Sequence, residues 1–391
     1  MLRSLYSGIS GLRAHQTMLD VTGNNIANVN TTGFKGSSAQ FQDTLSQLTQ
    51  GASGPQAATG GMNPAQVGLG VRVAAVTTSF TQGSAQTTGK ATDMMISGDG
   101  FFVTNRGGQQ YYTRAGAFGL DAAGHLVGPD GGILQGWMAD PSGRVNTGAP
   151  TTDLVLSPTA MIPARATTGV EVGGNLPSDA ATGTALQRDI QVFDADGVKR
   201  TLSLTFTRTA SGWDVAATDA SGATGSGSLA FTAGKQTTPG SVSVGGITVD
   251  LGTVTGYAGS TTVAATGQNG WEAGTLEAFS VGADGSLVGS FSNGVRQAVG
   301  RVALARFTNP AGLEKAGQSS YSATANSGNA QVGQAGDSGF GSLVGGALEM
   351  SNVDLSQEFT NLIVAQRGFQ ANARIITTSD QVLQELVDLK R

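Results

Sequence analysis

The chain has 391 residues, with 22 Lys and Arg against 27 Asp and Glu. Its net charge of -5 is diffuse and argues against a nucleic-acid or anionic-membrane partner. Charged residues make up only 13% and Gly fills 60 positions, a profile of turn-rich, short-stranded chains whose surface meets other protein. Zero Cys excludes a disulfide scaffold, Cys-ligated zinc, an iron–sulfur cluster and a thiol nucleophile, and His15 and His125 cannot form a histidine cluster.

Met1 to Asp20 interleaves Leu and Ile with polar residues and lacks the apolar run of a secretory signal. No segment reaches the ~18 consecutive apolar residues of a membrane span, so no membrane insertion is expected. Leu5, Ile9, Leu12, Gln16, Leu19, Gly23 and Ile26 alternate spacings of four and three, which predicts a helix with a heptad seam. Gly8, Gly11 and Gly23 each weaken that helix by about 1 kcal/mol relative to Ala. The stretch from Asn24 to Lys35, rich in Asn and Gly, should end it. Gln50 to Gln66 is mostly small residues with two prolines and reads as a linker or extended arm.

From Gly70 to Ser342 the period becomes two. Val71-Val73, Phe101-Phe102-Val103, Leu154-Val155-Leu156 and Leu202-Leu204-Phe206 read as strands. Turns separate them at Asp99-Gly100, Asp130-Gly131, Asp196-Gly197 and Asp284-Gly285. At the far end, Leu355, Phe359, Leu362, Gln366, Phe369, Ala373, Ile376, Asp380, Leu383 and Val387 repeat the heptad spacing. Ser351 or Asn352 can cap this second helix, with Asp354 in its first turn. Isolated helices of this kind are marginal in water. They either close on each other as a hairpin or order only against copies of themselves, which suits the small residues Ser7-Gly8-Ile9-Ser10-Gly11.

The predicted fold is mainly β with long terminal helices: sandwich or barrel-like domains in a discontinuous, multi-domain chain. Expected units are a terminal helical domain (1–28 with 352–391), a connecting arm (29–70 with 343–351), a first β domain (71–157 with 268–342) and an inserted outer β domain (158–267).

Few motifs carry chemistry. Gly83 to Gly89-Lys90 resembles a phosphate loop, but its glycines are too far apart and Ala91 stands where a magnesium-binding hydroxyl is required. No Ser has Gly at both minus two and plus two, so a nucleophile elbow is absent. Asp194-Ala195-Asp196-Gly197 starts like a calcium loop and lacks the later acids, so a hairpin turn explains it. His15 is read as solvated or packed on a neighbour, and His125 has no nameable partner. No catalytic, cofactor or metal residue is therefore assigned, and no enzyme activity is expected.

The residues Ser7-Gly8-Ile9-Ser10-Gly11-Leu12, followed by Asn24, Asn25, Asn28, Asn30, Thr32, Gly33 and Phe34, resemble the N-terminal signature of the bacterial flagellar rod and hook family. Ser351-Asn352-Val353-Asp354-Leu355 and Gln366 to Asn372 are similar to that family's terminal helix. Gly98 to Val103 with Tyr112 to Phe118 is similar to a block that its hook and distal-rod members share. Within the family, Val192 to Gly197 leading into Thr201 to Phe206, with Gly174-Asn175-Leu176 and Trp213-Asp214-Val215, resembles the outer hairpin of hook members. The generic stretch Ala216 to Thr266 adds little.

The resemblance implies a structural subunit that self-assembles into a curved, flexible tube acting as a universal joint between rod and filament. The heptad residues of both helices would form the assembly seam. Implied partners are further copies, distal-rod, hook-cap and hook–filament junction proteins, and the flagellar type III export apparatus. Its place would be the hook outside the cell, reached without a cleaved signal. Two alternatives remain at this stage: a distal-rod protein with an insertion, and a secreted β-rich adhesin or hydrolase.

Overall fold

A computed structural model describes residues 2–55, 60–157 and 159–389. Pro158, the expected start of the insertion, lies outside them, as do 56–59 of the expected linker and the extreme ends 1 and 390–391 of the expected helical unit.

Helix α1 (Leu2–Ala27) and helix α2 (Leu355–Asp388) lie antiparallel. Gly8 faces Ile375 and Ile376, Gly11 faces Asn372, His15 rests on Gly368, and Asn25 reaches Glu358. Gly8 and Gly11, which weaken the isolated helix, are what lets the two approach, whereas Gly23 faces open space. A Cβ at Gly11 would stand 2.6 Å from Asn372 Oδ1, and one at Gly368 2.5 Å from the His15 ring. Helix α2 is capped by Asp354, not by Ser351 or Asn352. Its carboxylate accepts from the Ser356 and Gln357 amides at 2.9 and 3.2 Å, satisfying two amides that have no intrahelical partner.

After α1 the chain runs out and back as a two-tier arm. Ser37–Asp43 pairs antiparallel with Val71–Thr78, and Ser46–Gln50 with Ala65–Gly68. The arm lies along α1: the Phe41 ring meets His15 edge-on at 5.7 Å, and the Val71 amide donates to Ser10 Oγ at 3.2 Å. The small-residue patch Ser7 to Gly11 thus packs on α2 and the arm of its own chain.

The inner β body is a 13-stranded antiparallel sheet. Strand period two sends Phe102 to one face and Phe101 and Val103 to the other. Each face has its own core: Phe102 joins Leu134, Leu154 and Leu304, while Phe101 joins Tyr112, Phe307 and Tyr321. The expected strand at Leu154 to Leu156 is shorter than read. Only Thr152–Asp153 pairs along Gln135 and Gly136, after which Leu154 and Leu156 turn into the core and Val155 bridges His125.

The outer β body has a separate core, drawn from Val170 to Val263. A four-stranded and a five-stranded sheet enclose Leu202, Leu204, Phe206 and Trp213. All its strand pairs are antiparallel except Gly169–Asn175 with Ile247–Thr255. Met161–Ile162 still pairs with Gly274 and Thr275 of the inner sheet, so the outer core begins several residues beyond 158. Between the bodies the two chain crossings form a neck. Arg165 and Trp271 exchange backbone bonds of 2.9 and 3.0 Å, and Asn269 Oδ1 accepts from the Thr168 and Gly169 amides.

Candidate assembly surfaces

The contact between α1 and α2 is centred beside most of the heptad positions, although Ile376 of that set meets Gly8. On α1 the buried residues are Gly8, Gly11, Ala14, Thr22 and Asn25, whereas Leu5, Ile9, Leu12, Leu19 and Ile26 are half-buried at its border. On α2, Leu362, Phe369, Ile376 and Leu383 are half-buried, and Leu355, Phe359 and Val387 stay exposed. Small residues take the centre because the helices come too close there for large ones. A second apolar stripe, Val364, Ile375, Val382 and Leu386, also faces solvent on α2. At 100° per residue it lies on a different flank from Leu355 and Phe359.

The Asn-rich signature is a joint. Asn28 donates to Asn24 O at 2.9 Å and accepts from Thr31 at 3.0 Å, closing the end of α1. Asn25 donates to Ser37 O at 2.7 Å and to Glu358 at 3.1 Å, tying the arm to both helices. Gly33 has φ +66, and a Cβ there would sit 2.4 Å from the Ala115 amide nitrogen, so only Gly fits. Phe34 lies beneath the Lys315 ammonium at 5.4 Å. Asn30 is exposed and Thr32 half-buried.

Beneath this joint is a cluster that reading the residues in order does not reveal. Lys35 and Glu349 are wholly buried, with Nζ and Oε1 2.6 Å apart. Arg114, also buried, stands 3.4 Å from Oε2. Lys35 donates to Thr81 O, the Gly83 amide donates to Glu349 Oε1, and Arg114 donates to Gly98 O. Burial pushes the Lys35 and Arg114 pKa values below their ordinary ones, and the pull of Glu349 opposes this. The one available signal was a lone acid, Glu349, in the otherwise uncharged strand Ala347–Glu349.

The weak chemical motifs dissolve into structure. The phosphate-loop resemblance contains a strand, Ala85–Thr87, paired with Ala347–Glu349. In the calcium-like stretch, Asp194 Oδ1 accepts from the Asp196 and Val198 amides and Gly197 has φ +82, which makes a hairpin turn. His125 does have a partner: its Nδ1 lies 2.9 Å from Asp121 Oδ2, a bond that holds the Asp121 pKa below its ordinary value. Among the described residues, no three His, Asp or Glu side chains gather as metal ligands.

Family models match three parts of the chain. Residues 5–35 match the family described as flagella basal body rod protein, residues 95–175 the flagellar hook protein FlgE/F/G D1 domain, and residues 344–389 the flagellar basal body rod FlgEFG protein C-terminal family. The flagellar hook protein FlgE of Borreliella burgdorferi is 41% identical, with 100% of both chains covered. That of Escherichia coli is 35% identical over 98% of each. The flagellar basal-body rod protein FlgG of Bacillus subtilis is 34% identical over the whole of both chains. A crystal structure of Helicobacter pylori flagellar hook protein FlgE2 aligns with a TM-score of 0.48 and 14% identity, over 66% of this chain and 98% of that one.

Paired terminal helices carrying stacked β bodies, with these relatives, define a subunit of the axial flagellar structure. The chain belongs to the flagellar hook protein family and is a structural subunit of the bacterial flagellar hook.

Proposed function

We propose that this subunit builds the hook as a head-to-tail helical homopolymer. The terminal helices form its inner tube, the arm seats on a neighbouring copy, and the β bodies form the outer layers. A heterologous contact that does not close a ring produces such a filament. The observation that carries this reading is the uncovered apolar surface of α2: Phe359, Ile363 and Leu386 are about half exposed in the single chain (49%, 50% and 52%). Exposed apolar surface of this extent marks an interaction site.

The arm supports the same reading. From Thr44 to Val71 it carries no charged residue, and Leu45, Leu48 and Met62 face solvent. A two-stranded hairpin is marginal alone, and unprotected edges without charge invite pairing. The domain scheme that fits is a helical unit, an arm, an inner β body and an outer β body inserted through the neck.

On this reading the chain has no catalytic task. Its work is mechanical: a universal joint whose subunits slide at polar outer contacts, where little desolvation energy changes per step. Partners at the two ends of the tube are distal-rod, hook-cap and hook–filament junction proteins, with delivery to the outside by the flagellar type III export apparatus. Amide hydrogen exchange of monomer and polymer tests the scheme. Residues 2–27 and 355–388 should be folded in the monomer yet exchange faster there than in tubes, where their protection rises. Equal protection in both states would mean that the helices finish folding alone, and the inner-tube assignment would fail.

A further inference from the structure

The buried cluster beneath the signature joins four separate pieces of chain through one carboxylate. Glu349 takes Lys35 at 2.6 Å, the Gly83 amide at 2.9 Å and Arg114 at 3.4 Å, while its own carbonyl accepts from the Gly33 amide at 2.8 Å. Two cations meet one anion, so the cluster holds a net positive charge out of water, with Asp99 the further acid acting on Arg114. Arg114 Nε has no hydrogen-bond partner among the described residues.

As a source of stability this is a poor solution. Desolvating three charges costs more than apolar side chains of the same volume would, and replacement of such triads can leave a protein equally or more stable. What the charges add is direction, because ion pairs and hydrogen bonds fail when groups slide or rotate, whereas apolar contacts tolerate both. The location matters too. Lys35 follows α1 and the signature, Glu349 precedes the cap of α2, and Arg114 belongs to the inner β body. Both chain ends pass this point on their way to the helices.

We propose that Glu349 is a positioning residue that fixes the angle between the terminal helical hairpin and the inner β body, and through that angle the geometry with which successive copies stack. The second half rests on the homopolymer reading above; the first half does not. Gly33 completes the device. Its left-handed backbone passes Ala115 with no room for a Cβ, so the joint is set by a close backbone approach on one side and by charge on the other.

The natural chain has no Cys, so spin labels on Ala122→Cys in the inner body and Gln370→Cys on α2, both exposed, report the angle without background. The parent should give one narrow distance by pulsed electron resonance. The triple variant Lys35→Met, Arg114→Met, Glu349→Met should melt no lower than the parent, yet its distance distribution should broaden roughly twofold, as expected when a domain interface loses its directional contacts. Its tubes should lose the parent's curvature.

Glu349→Gln, which keeps the shape and loses the charge, should broaden the distribution by less, and it decides the matter if the triple variant does not fold. An unchanged narrow distance in either folded variant overturns the positioning role. A broadened distance with parental tube curvature overturns the step from angle to stacking. If the parent makes no tubes, the homopolymer reading falls, and the distances still decide the role of Glu349.

Discussion

The outer β body and the terminal helical hairpin solve the problem of burying apolar surface in opposite ways. In the outer body Leu202, Leu204, Phe206 and Trp213 are sealed by residues between Val170 and Val263, a stretch the size of an ordinary domain. In α2, among the described side chains, Ala365 alone is buried, and large apolar residues ring the rest of the helix. One region is finished by its own chain, and the other is left unfinished at its surface. On the proposed reading, the unfinished surface lies where the permanent contacts of the polymer form, and the finished surface where contacts yield.

The strongest test of this contrast is to break the finished region. Trp213→Ala should cost about 3–5 kcal/mol, the usual penalty for removing a buried indole. Calorimetry should show the outer body melting earlier while the inner body is unaffected. Coupled melting of both would mean that the neck does not separate them.

Next comes the helix contact. Gly11→Leu forces a side chain where even a Cβ would stand 2.6 Å from Asn372 Oδ1, costing about 1–3 kcal/mol by overpacking. Tubes should be lost while both β cores keep their melting behaviour. Intact tubes from this variant would show that the intramolecular hairpin is not the assembling unit.

A third test removes the finished region altogether. The neck strands are neighbours, with Asn269 Oδ1 3.0 Å from the Gly169 amide, so residues 169–267 can be excised and Thr168 joined to Gln268 by a short turn. Electron microscopy should show tubes of altered bending. Complete absence of tubes would contradict the division of labour between helices and outer body.

The smallest expected effect is at Asp121. The bond from His125 lowers its pKa in the folded chain, so its stabilisation is present above the ordinary Asp value and is lost as pH falls through the depressed one. Asp121→Asn should therefore lower the melting temperature slightly at pH 7, by a difference that shrinks as pH falls below the ordinary Asp range of about 4. A deficit that persists undiminished in acid would assign Asp121 a role beyond this bond.

Much of the organisation was legible in residue order. The terminal helices, the turns at Asp130-Gly131, Asp196-Gly197 and Asp284-Gly285, and the strands at Phe101 to Val103 and Leu202 to Phe206 all follow from local period and turn chemistry. The signature Asn24 to Phe34 pointed to the family because its residues serve short-range geometry: Asn side chains that bond the backbone nearby, and a Gly at positive φ. Two helix details were read less well. The cap moved from Ser351 or Asn352 to Asp354, because Asn352 instead donates to Ser79 and Thr81 and accepts from the Gly36 amide. Within the single chain the buried stripe is Gly8, Gly11 and their neighbours, because hydrophobic spacing identifies a helix face without saying how near the partner comes.

What the sequence determined by itself was therefore every feature set within a few residues: helix or strand, where each stops, the absence of thiol chemistry, and membership of the rod and hook family. Tertiary structure alone decided which atoms meet across hundreds of positions. Lys35, Arg114 and Glu349 carry no mutual spacing that marks them as a cluster, and Gly368 announces no histidine. Long-range contacts are fixed by how completed elements pack, and packing depends on shape and distance, which no local pattern encodes.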